Sequence, residues 1–135
     1  MEHCKVVLVD DDQHDLVFLK YALEQTGRVV IVAACCDYQE LMTILDTQPL
    51  PDLIVSDLFM PGKNGIEVCR QLQQNVAYSN IPVVLLTGSK PTNATAQAAA
   101  EYGVKAILIK PNDLGHYTEV TSQLVNICMG LEPVL

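Results

Sequence analysis

The sequence predicts an α/β domain: a five-stranded parallel sheet in the order 2-1-3-4-5 with helices on both faces. Five short blocks, Lys5–Val9, Val29–Ala34, Leu53–Ser56, Pro82–Leu86 and Ala106–Ile109, are almost continuously apolar and recur at intervals of about 25 residues. Such runs suit strands buried on both faces, the habit of parallel sheets. Helical stretches separate them, which is the alternation of βα units. Right-handed crossovers then leave few doubly wound orders for five units, and 2-1-3-4-5 is the order expected.

The first strand, Lys5–Val9, ends in Asp10-Asp11-Asp12. Asp12 is placed to cap the helix that follows. Leu16, Leu19 and Leu23 form its apolar stripe, and Gly27 stops it. After the second strand, Asp37 with Glu40 three positions on is a variant of the capping box, and Leu41, Ile44 and Leu45 give the buried face. Pro49 and Pro51 break the chain before the third strand. Pro61 and Gly65 read as turn residues between that strand and a third helix, Ile66–Gln74. A polar loop, Tyr78-Ser79-Asn80, leads into the fourth strand. The Ala-rich segment Thr92–Tyr102, stopped by Gly103, is the fourth helix and Leu114–Met129 the fifth.

Composition narrows the function. The 135 residues suit one domain that can bury a sizeable core without disulfides or a structural metal. Sixteen acidic residues against eight basic ones give a net charge of −8. The basic residues are scattered, so neither nucleic acid nor an anionic membrane is an expected partner. Cysteines at 4, 35, 36, 69 and 128 are odd in number and lack C-x-x-C or zinc spacing. They read as small hydrophobes in a reducing compartment. The apolar run Val6–Val9 is too short for a signal-peptide core and Val29–Cys36 too short for a membrane span. A cytoplasmic protein is therefore expected. His3, His14 and His116 have no partners at catalytic spacing and read as surface residues.

In this fold ligands bind at the C-terminal ends of the strands. The strand exits carry Asp10, Asp11 and Asp12, then Asp57, Thr87 and Lys110. Carboxylates gathered in one pocket repel one another unless a cation joins them. An all-oxygen donor set without His or Cys suits Mg²⁺. A Lys and a Thr facing that ion could receive the oxygens of a phosphoryl group, and a carboxylate can accept one as an aspartyl-phosphate.

Val9-Asp10-Asp11-Asp12, Asp52–Asp57, Met60-Pro61-Gly62-Lys63-Asn64-Gly65, Leu86-Thr87-Gly88-Ser89 and Lys110-Pro111 together resemble the receiver domain of two-component response regulators, a flavodoxin-like (βα)5 fold. The resemblance runs from Lys5 to about Cys128 and rests on five motifs in order. It implies that Asp57 is the phosphoacceptor, supplied by a phosphohistidine on a histidine kinase or histidine phosphotransfer protein. It further implies that Asp11 and Asp57 bind Mg²⁺ directly, Asp10 partly through water, and the backbone carbonyl of Phe59 as a further ligand. Thr87 and Lys110 would bind the phosphoryl oxygens, the Lys110–Pro111 bond would be cis, and hydrolysis would make the phosphorylated state transient. About six residues follow the fifth helix, so a single receiver domain over 1–135 without an output domain is expected, either a single-domain response regulator or an excised receiver module. It would act through contacts with a downstream protein, as a monomer or weak homodimer.

Three positions depart from the family pattern. Ile107 stands where an aromatic usually changes rotamer on activation, Phe59 lies two positions after Asp57, and Asn112 follows Lys110-Pro111. Phe59 could shield a phosphoryl group from water, although Gly88 leaves the other side open. Two other readings follow. A receiver-like module could bind its partner without phosphorylation, as Ile107 suggests. A Mg²⁺-dependent phosphatase of the haloacid-dehalogenase type would also use an aspartyl nucleophile, but it needs a second Asp where Phe59 stands. No small-molecule turnover is expected.

Overall fold

The computed structural model describes residues 3–60 and 62–131. The turn residue Pro61 and the terminal Glu132–Leu135 lie outside the described residues. The first strand, β1 (Cys4–Val9), explains its own composition: Val6, Val7, Leu8 and Val9 are all at most 2% exposed. Successive side chains of a strand point to opposite faces. Val6 and Leu8 accordingly join Leu19, Leu23 and Leu124 in one core, while Val7 and Val9 join Leu41, Leu45 and Leu72 in another. Each buried aliphatic side chain contributes about 1.5–3 kcal/mol relative to exposure.

Alternating helices and strands complete the unit: α1 (Gln13–Gln25), β2 (Val29–Cys35), α2 (Tyr38–Thr47), β3 (Leu53–Asp57), α3 (Gly65–Gln73), β4 (Val83–Thr87), α4 (Asn93–Glu101), β5 (Ala106–Ile109) and α5 (Tyr117–Cys128). All neighbouring pairs in the sheet are parallel, and the order is β2-β1-β3-β4-β5, as expected from the sequence. The ladder slips once, where Val6 opposes Ile31 but Val7 opposes Ala33, leaving Val32 as an extra residue on β2. The α1 and α5 residues Leu16, Leu19, Tyr117 and Leu124 share the first core; Leu41, Leu45, Val68 and Ala99 of α2, α3 and α4 share the second. Ala99 is the sole buried residue of α4, because alanines reach little of the core.

The predicted stops and caps are present. Gly27 and Gly103 follow their helices with φ of +70° and +77°, the left-handed conformation that glycine adopts without a Cβ penalty. Asp37 accepts a hydrogen bond from the Glu40 N–H at 2.8 Å, and the Glu40 carboxylate accepts one from the Cys36 N–H at 2.8 Å. The return bond thus lands one residue before the cap, the variant in this box. Asp37→Ala is expected to cost about 1 kcal/mol. A denaturant midpoint lowered with an unchanged slope would register that loss.

Two segments differ from expectation. The fifth helix does not begin at Leu114: Leu114–His116 is a 3₁₀ turn capped by Asp113, and the α-helix starts at Tyr117. Gly115 in that turn lacks helix propensity, and the Asp113 carboxylate fixes the tighter geometry by accepting from the His116 N–H. The second segment follows β3. Phe59–Met60 and Lys63–Asn64 pair antiparallel in a small hairpin separate from the main sheet. All five cysteines are free; Cys4, Cys35 and Cys69 are buried, and Cys36 and Cys128 are partly so. Among the described residues no helix is long and apolar enough to cross a membrane.

Candidate functional site

The strand exits converge. Asp10 follows β1, Asp57 ends β3 beside it, Thr87 ends β4, and Lys110 follows β5. Register brings them to one level. Asp57 lies opposite Leu86, Thr87 lies opposite Ile109, and the Lys110 N–H donates to the Thr87 carbonyl at 2.7 Å. Thr87 is buried at 3% exposure.

Asp10 is fixed from every side. Its N–H donates to the Cys35 carbonyl at 2.9 Å, Oδ1 accepts from the Asp12 N–H at 2.9 Å, and Oδ2 accepts from Lys110 Nζ at 2.8 Å. Asp12 is the α1 cap, as the sequence suggested, accepting from the N–H groups of His14 and Asp15. Asp11 is exposed to solvent. One carboxylate oxygen from each of Asp10, Asp11 and Asp57 lies within 4.8 Å of the others.

Lys110 is the cation of this pocket. Its Nζ is 2.8 Å from Asp10, 2.8 Å from Asp15 and 3.5 Å from Asp57. Burial disfavours the charged ammonium, but the hydrogen bonds to Asp10 and Asp15 outweigh that and raise its pKa. Asp57 moves the other way from most paired carboxylates. Burial first, then the charge of Asp10, pushes it up from 3.8 to about 6, against the opposing pull of Lys110 and of the Phe59 backbone N–H. One ammonium thus serves three carboxylates, and Asp57 is the one left under-compensated.

The donor chemistry fits a hard divalent cation. Three carboxylates from two adjacent strands offer oxygen alone, and the raised Asp57 pKa marks the charge deficit that such an ion relieves. The hairpin after β3 begins at Phe59, a residue 64% exposed whose backbone N–H faces the Asp57 carboxylate.

Of the residues expected at this edge, Asp10, Asp11, Asp57, Thr87 and Lys110 come together. The Lys110–Pro111 bond is a correction: it is trans, as no cis peptide occurs among the described residues. The cis form was implied by resemblance alone. Trans is favoured by about 0.5–1 kcal/mol before proline unless the surroundings demand otherwise. Gly65 is a second correction. Its φ is not positive; a Cβ there would lie 2.8 Å from the Asp57 carbonyl oxygen and 2.7 Å from Leu85 Cδ2. Close backbone approach, not a turn, demands glycine. Asp15 was missed: it lies in the first turn of α1, and its position in the sequence alone does not show that its carboxylate meets Lys110. The three histidines are exposed, and His116 pairs locally with Asp113 at 2.8 Å. Ile107 is partly buried beside Ala99 and Val104 on the α4 side of β5.

Fold and site define a doubly wound α/β domain with an all-oxygen acidic pocket, closed by one lysine, at the C-terminal edge of its sheet. Residues 6–121 match the family model of the response regulator receiver domain, and the chain belongs to that family. It is 36% identical over 107 residues to the alkaline phosphatase synthesis transcriptional regulatory protein PhoP of Bacillus subtilis, covering 79% of this chain. The chain spans 42% of that relative's length. Among solved structures it is similar to the phosphorylated cyanobacterial phytochrome response regulator RcpA, with 25% identity, a TM-score of 0.80 and 94% of each chain covered. The Mn²⁺-bound response regulator Rcp1 is similar at 27% identity and a TM-score of 0.76, with 98% of this chain and 97% of that one covered. Receiver domains are signalling modules of two-component systems, working between histidine kinases and downstream effectors.

Proposed function

We propose that Asp57 accepts a phosphoryl group from the phosphohistidine of a histidine kinase or histidine phosphotransfer protein. The observation that carries this reading is the Asp57 carboxylate gathered with those of Asp10 and Asp11, with Lys110 Nζ 3.5 Å from it. An Asp57 oxygen attacks phosphorus as the P–N bond to the donor histidine breaks, and the imidazole leaves with the bonding pair. Lys110 and the Thr87 hydroxyl bind oxygens of the transferred group. Asp11 and Asp57 would hold Mg²⁺, with the Phe59 carbonyl as a further ligand, and Asp10, both of whose oxygens are engaged, would contribute through water. Bound Mg²⁺ supplies charge neutralisation for the phosphoryl oxygens and the carboxylates. Hydrolysis of the acyl phosphate returns Asp57 to its free state.

We place the module in the cytoplasm, as one receiver unit that signals through protein contacts; its acidic composition and free cysteines support this. Phosphorylation then shifts a pre-existing equilibrium at the outer face of α4, β5 and α5 and so changes affinity for a downstream protein. Ile107 favours a second reading, constitutive partner binding, because a branched aliphatic side chain has no ring to swing toward Thr87. Phe59 at the position of the second carboxylate counts against the phosphatase reading.

Incubation with an acyl-phosphate donor and Mg²⁺ is expected to label wild type stoichiometrically, and Asp57→Asn not at all. Unlabelled wild type, or full labelling of Asp57→Asn, would sink the proposal. Equal partner affinity with and without the phosphoryl group would select the constitutive reading.

A further inference from the structure

Lys110 is held by one more acid than the proposed chemistry uses. An ammonium has three N–H donors. Two are spent at 2.8 Å on Asp10 and on Asp15, and Asp57 is left at 3.5 Å. Asp15 comes from the first turn of α1, where its own N–H donates to the Asp12 carboxylate at 3.1 Å. The cap that starts the helix therefore also sets where the Asp15 side chain begins. An acid in a first helical turn interacts favourably with the helix dipole wherever it points. This one points at Lys110, with its side chain 32% exposed.

We infer that Asp15 is a positioning residue, holding Lys110 toward α1 so that the Asp57 carboxylate stays open to a divalent cation and to the incoming phosphoryl group. The inference rests on the reading of Asp57 given above. The ammonium and a divalent cation compete for the same carboxylates and repel each other. Asp10 and Asp57 both belong to the cluster that would hold the ion; Asp15 does not. It gives the ammonium a partner outside the contested set. Without Asp15 the remaining acceptors of Lys110 are Asp10 and Asp57, and the ammonium settles on them against the ion. Loss of the Asp15 charge and relocation of Lys110 both weaken cation binding, so the two effects add in sign.

The test is calorimetric titration of the folded, metal-free protein with Mg²⁺, with phosphoryl incorporation into wild type measured alongside. Asp15→Asn is expected to raise the Mg²⁺ dissociation constant about fivefold, and Asp15→Glu to restore most of the affinity. In a Lys110→Met background, Asp15→Asn should change the constant by less than about twofold, because no ammonium is left to relocate. An acid serving only the helix dipole would act equally with and without Lys110. Unchanged affinity in Asp15→Asn, or the same loss in both backgrounds, overturns the inference and leaves the role of Asp57 standing. If Lys110→Met does not fold, the other two variants decide: affinity lost in Asn and regained in Glu supports the inference, and loss in both overturns it. A wild type that takes up neither Mg²⁺ nor phosphoryl groups overturns both readings.

Discussion

Metal-free protein carrying Asp57→Asn is expected to melt about 5–10 °C above wild type at pH 7. Asp57 is raised from 3.8 to about 6 by burial and by the charge of Asp10, so its ionised form opposes folding. Between about pH 4 and 6 the folded protein holds a proton on this group that the unfolded chain has lost. Stability contributed here therefore falls as pH rises through that window, by up to about 3 kcal/mol, and is fully lost above it. The melting-point gap between Asp57→Asn and wild type should close as pH drops toward 4. Mg²⁺ should stabilise wild type at pH 7, stabilise it less below pH 6 where protons occupy Asp57, and act weakly on Asp57→Asn. Thermal scans by circular dichroism from pH 4 to 8, with chelator or with Mg²⁺, measure all of this. A gap independent of pH would refute the assignment of the strain to Asp57.

Gly65→Ala should cost about 2–3 kcal/mol although it adds one methyl group. The new Cβ would meet the Asp57 carbonyl oxygen at 2.8 Å, which is backbone and cannot rotate away as the Leu85 Cδ2 at 2.7 Å can. The Gly65 N–H also donates to the Leu58 carbonyl at 2.7 Å, so α3 cannot retreat without stretching that bond. Relief must come from the end of β3, and Asp57 moves with it. Denaturant unfolding gives the stability loss, and the same sample should show weaker Mg²⁺ binding and slower phosphorylation. Normal cation affinity in a destabilised Gly65→Ala would separate the helix contact from the site.

The sheet was legible because its signal is one-dimensional. Apolar runs such as Val6–Val9 and Leu53–Val55 mark strands covered on both faces, and their order follows from crossover handedness. The acidic edge was legible for the same reason, since a residue just past a parallel strand must lie there. What escaped depends on three-dimensional closeness. Asp15 meets Lys110 only through the rotation of α1 against β5, 95 positions away. The Gly65 contact depends on the distance between α3 and the β3 backbone. A two-residue ladder such as Phe59–Met60 with Lys63–Asn64 is too short to show alternation. The 3₁₀ turn at Leu114–His116 was readable in part, because Asp113 and Gly115 signal a cap and a weak helical position.

The bond between Lys110 and Asp10 spans 100 positions, and that with Asp15 spans 95. During synthesis the four carboxylates at 10, 11, 15 and 57 leave the ribosome well before the ammonium that tempers them. Until β5 docks, Asp10, Asp15 and Asp57 lack the ammonium they pair with in the finished fold. Contacts closing so long a stretch of chain are slow to form. Completion of the pocket is therefore expected to be a late folding event.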